Sequence, residues 1–294
     1  MTKTRALALL SALVLLSGTL WADCAPDYRS DKKSGISITE FAVNGAEEFD
    51  SSELASIRSK LVGACVDEDS DEIEQIVRSI FQNRGYFGVS VSSIRTKVND
   101  PLAIPKQARL EAEIDLGVRY RLASIRFVGN TFLPEMSLRK GFPLAKGDVL
   151  ERDKIASGLG ALRKLYLTRG FRDSYFVPDT SLHSNGTAVL NVTVTEGPQY
   201  HMGKLKIAAK KEMADRLQGA WHLKEGSVFN SDYLEKYIKA NESLLPSGFT
   251  QANVLLAQDC PHASVEVALV IDQTDPMLQT RQPDVKCEST ADAK

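Results

Sequence analysis

Two stretches of this chain follow one pattern 80 residues apart, and that internal period constrains the fold more than any compositional figure. Residues 193–207 read TVTEGPQYHMGKLKI, and residues 115–127 read DLGVRYRLASIRF. Gly117 matches Gly197, Tyr120 matches Tyr200, and Leu122, Ile125 and Phe127 match Met202, Leu205 and Ile207. In each copy a strand ends at Gly, a Tyr follows, and a new apolar strand begins, so the pattern marks a joint between successive units. GDVLERDKI at 147–155 recurs as GSVFNSDYL at 226–234. Arg169-Gly170-Phe171 recurs as Ser247-Gly248-Phe249 and stands earlier as Arg84-Gly85-Tyr86. Asp71 and Ile73 occupy the places that Asp153 and Ile155 set for them. The period predicts three units, at 36–117, 118–197 and 198–272.

Ahead of the array, Lys3 and Arg5 precede an apolar run over 6–16, followed by small and turn-prone residues. That is the pattern of an export signal, expected to be cleaved after Ala22. The run is shorter than the ~20 residues a membrane span needs. Acylation of Cys24 is the other possibility, but Leu20-Trp21-Ala22-Asp23 lacks the small residues that usually precede a lipidated cysteine. Residues 23–35 lead into the first unit, and 273–294 form a polar tail with no amphipathic strands of a membrane barrel. At 43% hydrophobic and 25% charged the rest is ordinary globular material.

All four cysteines, Cys24, Cys65, Cys260 and Cys287, lie beyond the expected cleavage site. An even number in an exported chain points to disulfides, and of the three connectivities Cys24–Cys65 with Cys260–Cys287 keeps each bridge local. A zinc site would need ligand spacings the chain lacks, with no CxxC pair and no suitably placed His. Charge is unevenly spread. Residues 23–117 carry 11 Lys/Arg against 18 Asp/Glu, whereas 118–197 carry 12 against 7. The basic middle unit, with Arg119, Arg121, Arg126, Arg139 and Lys140, is a candidate for contact with an anionic membrane surface or acidic partner, beside the plainer reading of a solvated face. Export argues against nucleic acid.

Within each unit the order is strand, two helices, and two further strands. First strands are predicted at 38–43, 123–128 and 204–208 from their alternation. Asp50-Ser-Ser-Glu53 has the form of a capping box, Pro134 suits the first turn of a short helix, and Ile73, Ile76, Val77, Ile80 and Phe81 make a helical stripe. Ile155, Leu159, Leu162 and Tyr166 make another. Gly85, Gly170 and Gly248 stand where a helix end needs a left-handed residue, and Pro246 shortens the third copy. Second strands follow at 89–95, 174–177 and 251–256. The Asn185-Gly186 turn leads to a regular third strand at 188–194, with counterparts at 110–114 and 264–271. The third strand belongs at the centre, the first beside it, and the second at an open edge.

This order and the joint motif resemble the POTRA (polypeptide-transport-associated) domain family, whose repeats form the periplasmic arms of outer-membrane insertases and translocation-assembly proteins. The likeness is carried by Val43-Asn-Gly45 and Phe127-Val-Gly-Asn130 closing the first strand, Gly147-Asp-Val149 before the second helix, and Arg-Gly-Phe/Tyr before the second strand. It implies an α+β fold: three tandem β-α-α-β-β domains, each a three-stranded mixed sheet covered by two helices. It also implies a periplasmic protein that handles unfolded barrel precursors or docks an outer-membrane β-barrel protein, at the inner face of the outer membrane.

An open edge can accept an extended peptide as an added strand. Val89, Val91, Ser174, Tyr175, Phe176, Gln251 and Val254 are the candidates for that contact, alternate ones being expected to pack inward, and Pro178 interrupts the edge. Nothing assembles a catalytic centre or cofactor site. The histidines are never at i, i+4, there is no GxSxG elbow and no phosphate loop, and Gly158-Leu-Gly160 falls inside an apolar stripe. Asp67-Glu-Asp69-Ser-Asp71 alternates oxygen ligands but lacks the Gly and terminal Glu of a calcium loop. The chain reads as a binding protein, either a receptor for strand-like clients or an adaptor for one folded partner.

Overall fold

The computed structural model describes residues 35–66 and 70–272. The expected signal at 1–22, Cys24, Cys287, the polar tail and most of the acidic 67–71 run lie outside those residues. The chain divides into two compact units, one of 35–82 with 88–118 and the other of 83–87 with 119–272.

In the first unit, β1 (Ile36–Asn44), α1 (Ser51–Ser59), β2 (Cys65–Val66) and α2 (Ser70–Gln82) precede a hairpin of β3 (Ser90–Asp100) and β4 (Lys106–Asp115). The sheet order is β2-β1-β4-β3, with β1 parallel to β4 and β3 antiparallel to it. Ala108, Leu110, Ala112 and Ile114 bury every second side chain of β4, as a central strand covered on one face should. Ile57 of α1, Leu61 just beyond it, and Ile73, Val77, Ile80 and Phe81 of α2 are buried. The capping box forms as predicted. Asp50 accepts the N–H groups of Ser52 and Glu53, both at 2.8 Å, and Glu53 accepts the Asp50 N–H at 3.1 Å. The Glu53 N–H foremost, then the Ser52 hydroxyl and N–H, hold the Asp50 carboxyl below its usual range against burial.

One expectation needs correction, because this sheet has four strands rather than three. The added β2 is the counterpart of a segment present in every repeat. Gly63, Gly147 and Gly226 all have positive φ, and their N–H groups donate to Ile38, Leu122 and Met202 near the start of each first strand. In the other two repeats the same segment makes only the single bridges Arg121–Val149 and His201–Val228. Two successive pairs, Ile36 with Val66 and Ser37 with Cys65, make it a short strand here. Neither Cys65 nor Cys260 is a free thiol, and their expected partners lie outside the described residues.

The second unit opens with β5 (Arg121–Val128), α3 (Glu135–Arg139), α4 (Arg152–Leu167), β6 (Tyr175–Leu182) and β7 (Thr187–Thr195). It continues with β8 (His201–Ala208), α5 (Lys211–Gly219), α6 (Ser231–Ala240), β9 (Val254–Asp259) and β10 (Ser264–Val270). Its two sheets run β5-β7-β6 and β8-β10-β9, so the third strand of each repeat is again central and the second again at an edge. Ala188, Leu190, Val192 and Val194 of β7 pack on Ile155, Leu162 and Tyr166 of α4. Gly158 is what lets α4 approach Phe142, whose ring would stand 2.3 Å from a Cβ there. In the last repeat Val265, Val267 and Leu269 pack with Leu217, Phe229, Leu234 and Tyr237. Helix α6 ends at Ala240, short of Pro246.

The 183–187 turn also differs in detail from the Asn-Gly expectation. Only Gly186 has positive φ, and its N–H returns to the His183 carbonyl. The loop is a tight turn followed by one left-handed residue, with the Asn185 side chain bonded forward to the Thr187 N–H at 3.1 Å. Pro178 does not interrupt β6, which runs through it to Leu182 with Pro178 opposite Val192. An edge strand tolerates proline because only one of its sides is paired.

Glu196 closes the middle repeat. Its carboxylate accepts the Tyr166 hydroxyl at 2.7 Å, the Thr131 and Phe132 N–H groups at 3.0 Å each, and the Thr131 hydroxyl. Burial alone would raise its pKa, but the bonds from Thr131, Tyr166 and Phe132 outweigh burial and hold it below the usual range. A depressed carboxyl contributes stability that is present above its unfolded pKa and is lost as pH falls through the folded one. Glu196→Gln is therefore expected to lower stability by about 1–2 kcal/mol at neutral pH. The deficit should shrink below pH ~4, in thermal melts of both proteins from pH 7 to pH 3.

Candidate functional site

Strands β3, β6 and β9 each pair on one side only among the described residues. The outer side of each is a row of backbone donors and acceptors. How the seven candidate residues sit on these strands follows from a device common to the first two repeats.

Seven residues before the repeat glycine, on the helix that leads to it, stands an arginine. Arg78 donates to the Val89 carbonyl at 2.8 Å. Arg163 donates to the Ser174 carbonyl, to its hydroxyl at 2.9 Å and to the Arg172 carbonyl at 2.5 Å. Burial lowers the pKa of Arg163, the nearby Asp173 carboxylate opposing that shift. Val89 and Ser174, four residues after Gly85 and Gly170, are thus the anchored residues from which each edge strand starts. Both are buried, and both precede the strand itself. They cannot present side chains to a peptide.

The other candidates divide by the pleat. Val91 lies in β3 and is half-buried. Tyr175 opens β6 with 53% of its surface exposed, and Val177 on the same face is exposed too. Opposite them stand Thr195 and Thr193, and beyond Thr193 the exposed Val128 of β5, so the open face of this sheet carries an apolar strip. Phe176 faces inward, its ring 5.3 Å from that of Tyr166. Gln251 is not on the strand at all. It begins a single 3-10 turn, Gln251–Asn253, capped by Thr250. Val254 opens β9 but packs against the core. Tyr175 and Val91 are what remain at the edge from the original set, with Ala257 exposed farther along β9.

The joint motif is built of backbone contacts. The Tyr200 N–H donates to the Gly170 carbonyl at 2.8 Å, and a Cβ on Gly170 would meet the Tyr200 carbonyl at 2.6 Å. Gln199 donates to the Arg169 carbonyl at 3.0 Å. The same geometry opens the second unit, where Tyr120 donates to the Gly85 carbonyl at 2.8 Å and Arg119 to the Arg84 carbonyl at 2.9 Å. The Asn83 side chain there accepts the Asp153 N–H at 2.8 Å and so caps α4, whose own N-cap residue, Glu151, accepts none of the helix's first N–H groups and pairs instead with Lys154 at 2.6 Å.

Between the second and third repeats a side-chain latch is added. The buried Tyr200 donates its hydroxyl to Asp173 at 2.6 Å, and Gln258 of β9 donates to the other Asp173 oxygen at 2.9 Å. Arg172 donates to Gln258 at 3.1 Å, with its guanidinium 5.3 Å above the Phe229 ring. Burial and then the bond to Asp173 push the Tyr200 hydroxyl up to about 12, Gln258 and Arg172 partly offsetting them. The residue equivalent to Asp173 after Gly85 is Gly88, which has no side chain to offer. Asp173→Ala removes the carboxylate that the Tyr200 hydroxyl and the Gln258 amide share, and is expected to cost about 1–3 kcal/mol. Adding Tyr200→Phe should recover part of that loss, a coupling that a double-mutant cycle of chemical melts measures.

The latch and the arginine clamps escaped the sequence reading. The clamps leave a signal, an Arg seven residues before Gly85 and again before Gly170. The latch leaves none, since Asp173 and Gln258 are 85 residues apart. Among the described residues, no group of three or more His, Cys, Asp or Glu could hold a metal ion, and no helix is long and apolar enough to cross a membrane.

The POTRA family, described as surface antigen variable number repeat, matches residues 120–197. No curated protein matches the chain. Among solved structures, repeats POTRA3-5 of Haemophilus influenzae BamA align over 81% of this chain and 96% of theirs, at 17% identity and a TM-score of 0.56. The N-terminal domain of Omp85 from Thermosynechococcus elongatus aligns over 82% and 98% at 16% identity, with a TM-score of 0.31. POTRA1-3 of Anabaena Omp85 align over 82% and 97% at 15% identity, with a TM-score of 0.33. The middle repeat of this chain thus matches the POTRA family, and the three mixed sheets of the chain have the fold seen in POTRA repeats.

Proposed function

We propose that this chain is an exported, non-catalytic protein-binding module of outer-membrane protein assembly or protein translocation, working in the periplasm at the inner face of the outer membrane. It takes up extended segments of unfolded barrel precursors as added strands. The observation that carries this reading is the recurrence of one topology, in which the second strand of every repeat lies at an edge and pairs only inward among the described residues. Backbone pairing gives affinity without a sequence motif, which suits clients that share strand character alone. The exposed Tyr175, Val177 and Val128 beside the β6 edge add an apolar face for alternate side chains of a client. Domains at 36–117, 118–197 and 198–272 and bridges Cys24–Cys65 and Cys260–Cys287 belong to the same proposal.

The second reading is an adaptor for a single folded barrel protein or secretion component, favoured by the basic middle repeat, which equally suits an anionic membrane surface. Photo-crosslinking in cells from Tyr175 and Ala257 separates the two. A ladder of many barrel precursors supports strand addition. One discrete folded partner supports the adaptor, and its capture should then weaken steeply with salt. No adduct from either position removes the edge strands from the working surface.

A further inference from the structure

The register of the middle sheet lays out its open face row by row. Phe176 of β6 packs inward, so Tyr175, Val177, Asp179 and Ser181 lie on the opposite face. Thr195, Thr193, Asn191 and Val189 of β7 stand across from them. Val128 and Arg126 of β5 lie beyond Thr193 and Asn191. One row is therefore Val177-Thr193-Val128, with both valines more than half exposed, and the exposed Tyr175 extends it toward the start of β6.

The next row, Asp179-Asn191-Arg126, carries charge. Asp179 is exposed and makes no ion pair among the described residues. Its cross-strand partner Asn191 is neutral and donates to Ser181 at 3.2 Å. Arg126 stands two strand spacings off, about 10 Å. On its outer side Asp179 has no strand beside it at all. The β3 edge is differently furnished, with Ser93, Arg95 and Lys97 on its open face.

We infer that the β6 edge selects its client by pattern: an extended segment that carries Lys or Arg, an aliphatic and an aromatic or large aliphatic residue on alternate positions. The cation meets Asp179, the aliphatic side chain meets Val177, and the third meets Tyr175. This rests on strand addition as proposed above and adds the phase and charge of the incoming strand. Side chains directly opposed on neighbouring strands come within about 4.5–5.5 Å at Cβ, so all three contacts form together. A slip of one residue would turn the client's apolar row away from Tyr175 and Val177. The sign of the charge separates this selection from bulk attraction. Residues 118–197 carry 12 Lys/Arg against 7 Asp/Glu, so the repeat as a whole favours an acidic segment, whereas Asp179 favours a basic one.

The test is fluorescence anisotropy of the full chain with three labelled, end-capped peptides. The first is Thr-Lys-Thr-Val-Thr-Phe-Thr. The second has Glu in place of Lys, and the third exchanges Val with the Thr before it, which moves Val to the other face. The first is expected to bind about threefold to tenfold more tightly than either of the others. Asp179→Lys should reverse the order of the Lys and Glu peptides. Its thermal melt should match that of the unaltered chain, because the side chain is exposed and unpaired. Equal, saturable binding of all three peptides overturns the selection and leaves strand addition standing. Tighter binding of the Glu peptide, unaffected by Asp179→Lys, overturns it in favour of the basic surface of the repeat. Binding of none of them overturns the selection together with the strand addition it rests on.

Discussion

Replacing Gly129 with valine is expected to remove roughly 3–5 kcal/mol of stability, a value at the extreme of single substitutions. Gly129 follows β5 with φ +90, and a Cβ there would lie 2.4 Å from the Val194 carbonyl oxygen of the central strand. Two costs combine. A β-branched residue at positive φ is strained by its own backbone. The carbonyl it strikes belongs to a strand packed on both sides and has nowhere to retreat. Gly45 repeats the arrangement in the first unit, with φ +87 and a Cβ position only 1.9 Å from the Ile114 carbonyl. Thermal melts should show a loss of about 2–4 °C per kcal/mol for domains of this size. A change under 2 °C in Gly129→Val would mean that the two strands part more readily than this spacing allows.

Phe229→Ala carries an expectation of the same size, roughly 3–5 kcal/mol. The ring is fully buried among Tyr200, Leu217, Leu234 and Val267, and Arg172 covers it from the preceding repeat. Truncation empties that volume and takes the floor from beneath Arg172. The loss should be local, because the β7 core is built on other residues. Hydrogen exchange is the fitting measurement. Amides of β8, β9 and β10 should lose protection while those of β7 keep theirs. Equal loss in both sheets would show that the two repeats unfold as one body.

What could be read from the sequence was what repeats locally. Alternation in residues 188–194 and the stripe of Ile155, Leu162 and Tyr166 depend on spacing alone, and both packed as expected. Gly170 was legible because it recurs as Gly85 and Gly248, although its own reason, the Tyr200 carbonyl 2.6 Å from an absent Cβ, is visible only in three dimensions. Strand β2 was missed because two residues become a strand by pairing, and pairing is a property of Ile36 and Ser37 as much as of Cys65 and Val66. Val89 and Ser174 were misplaced for a related reason. Their β-prone neighbourhood suggests an edge strand, but an arginine from the preceding helix fixes their carbonyls and turns them inward. Gln251 was displaced by the Thr250 cap, which holds the chain in a turn for three residues before β9 begins.

The segment that starts at Gly63, Gly147 or Gly226 in each repeat lies along the outer side of the first strand and occupies its opening amides and carbonyls. A sheet with two free edges is a building block for a fibre, since the far edge of one copy can zip onto the near edge of the next without ever closing. Capping the start of one edge makes that growth self-limiting. On the proposed reading a visiting strand joins on one side, and the polymer ends at its first step.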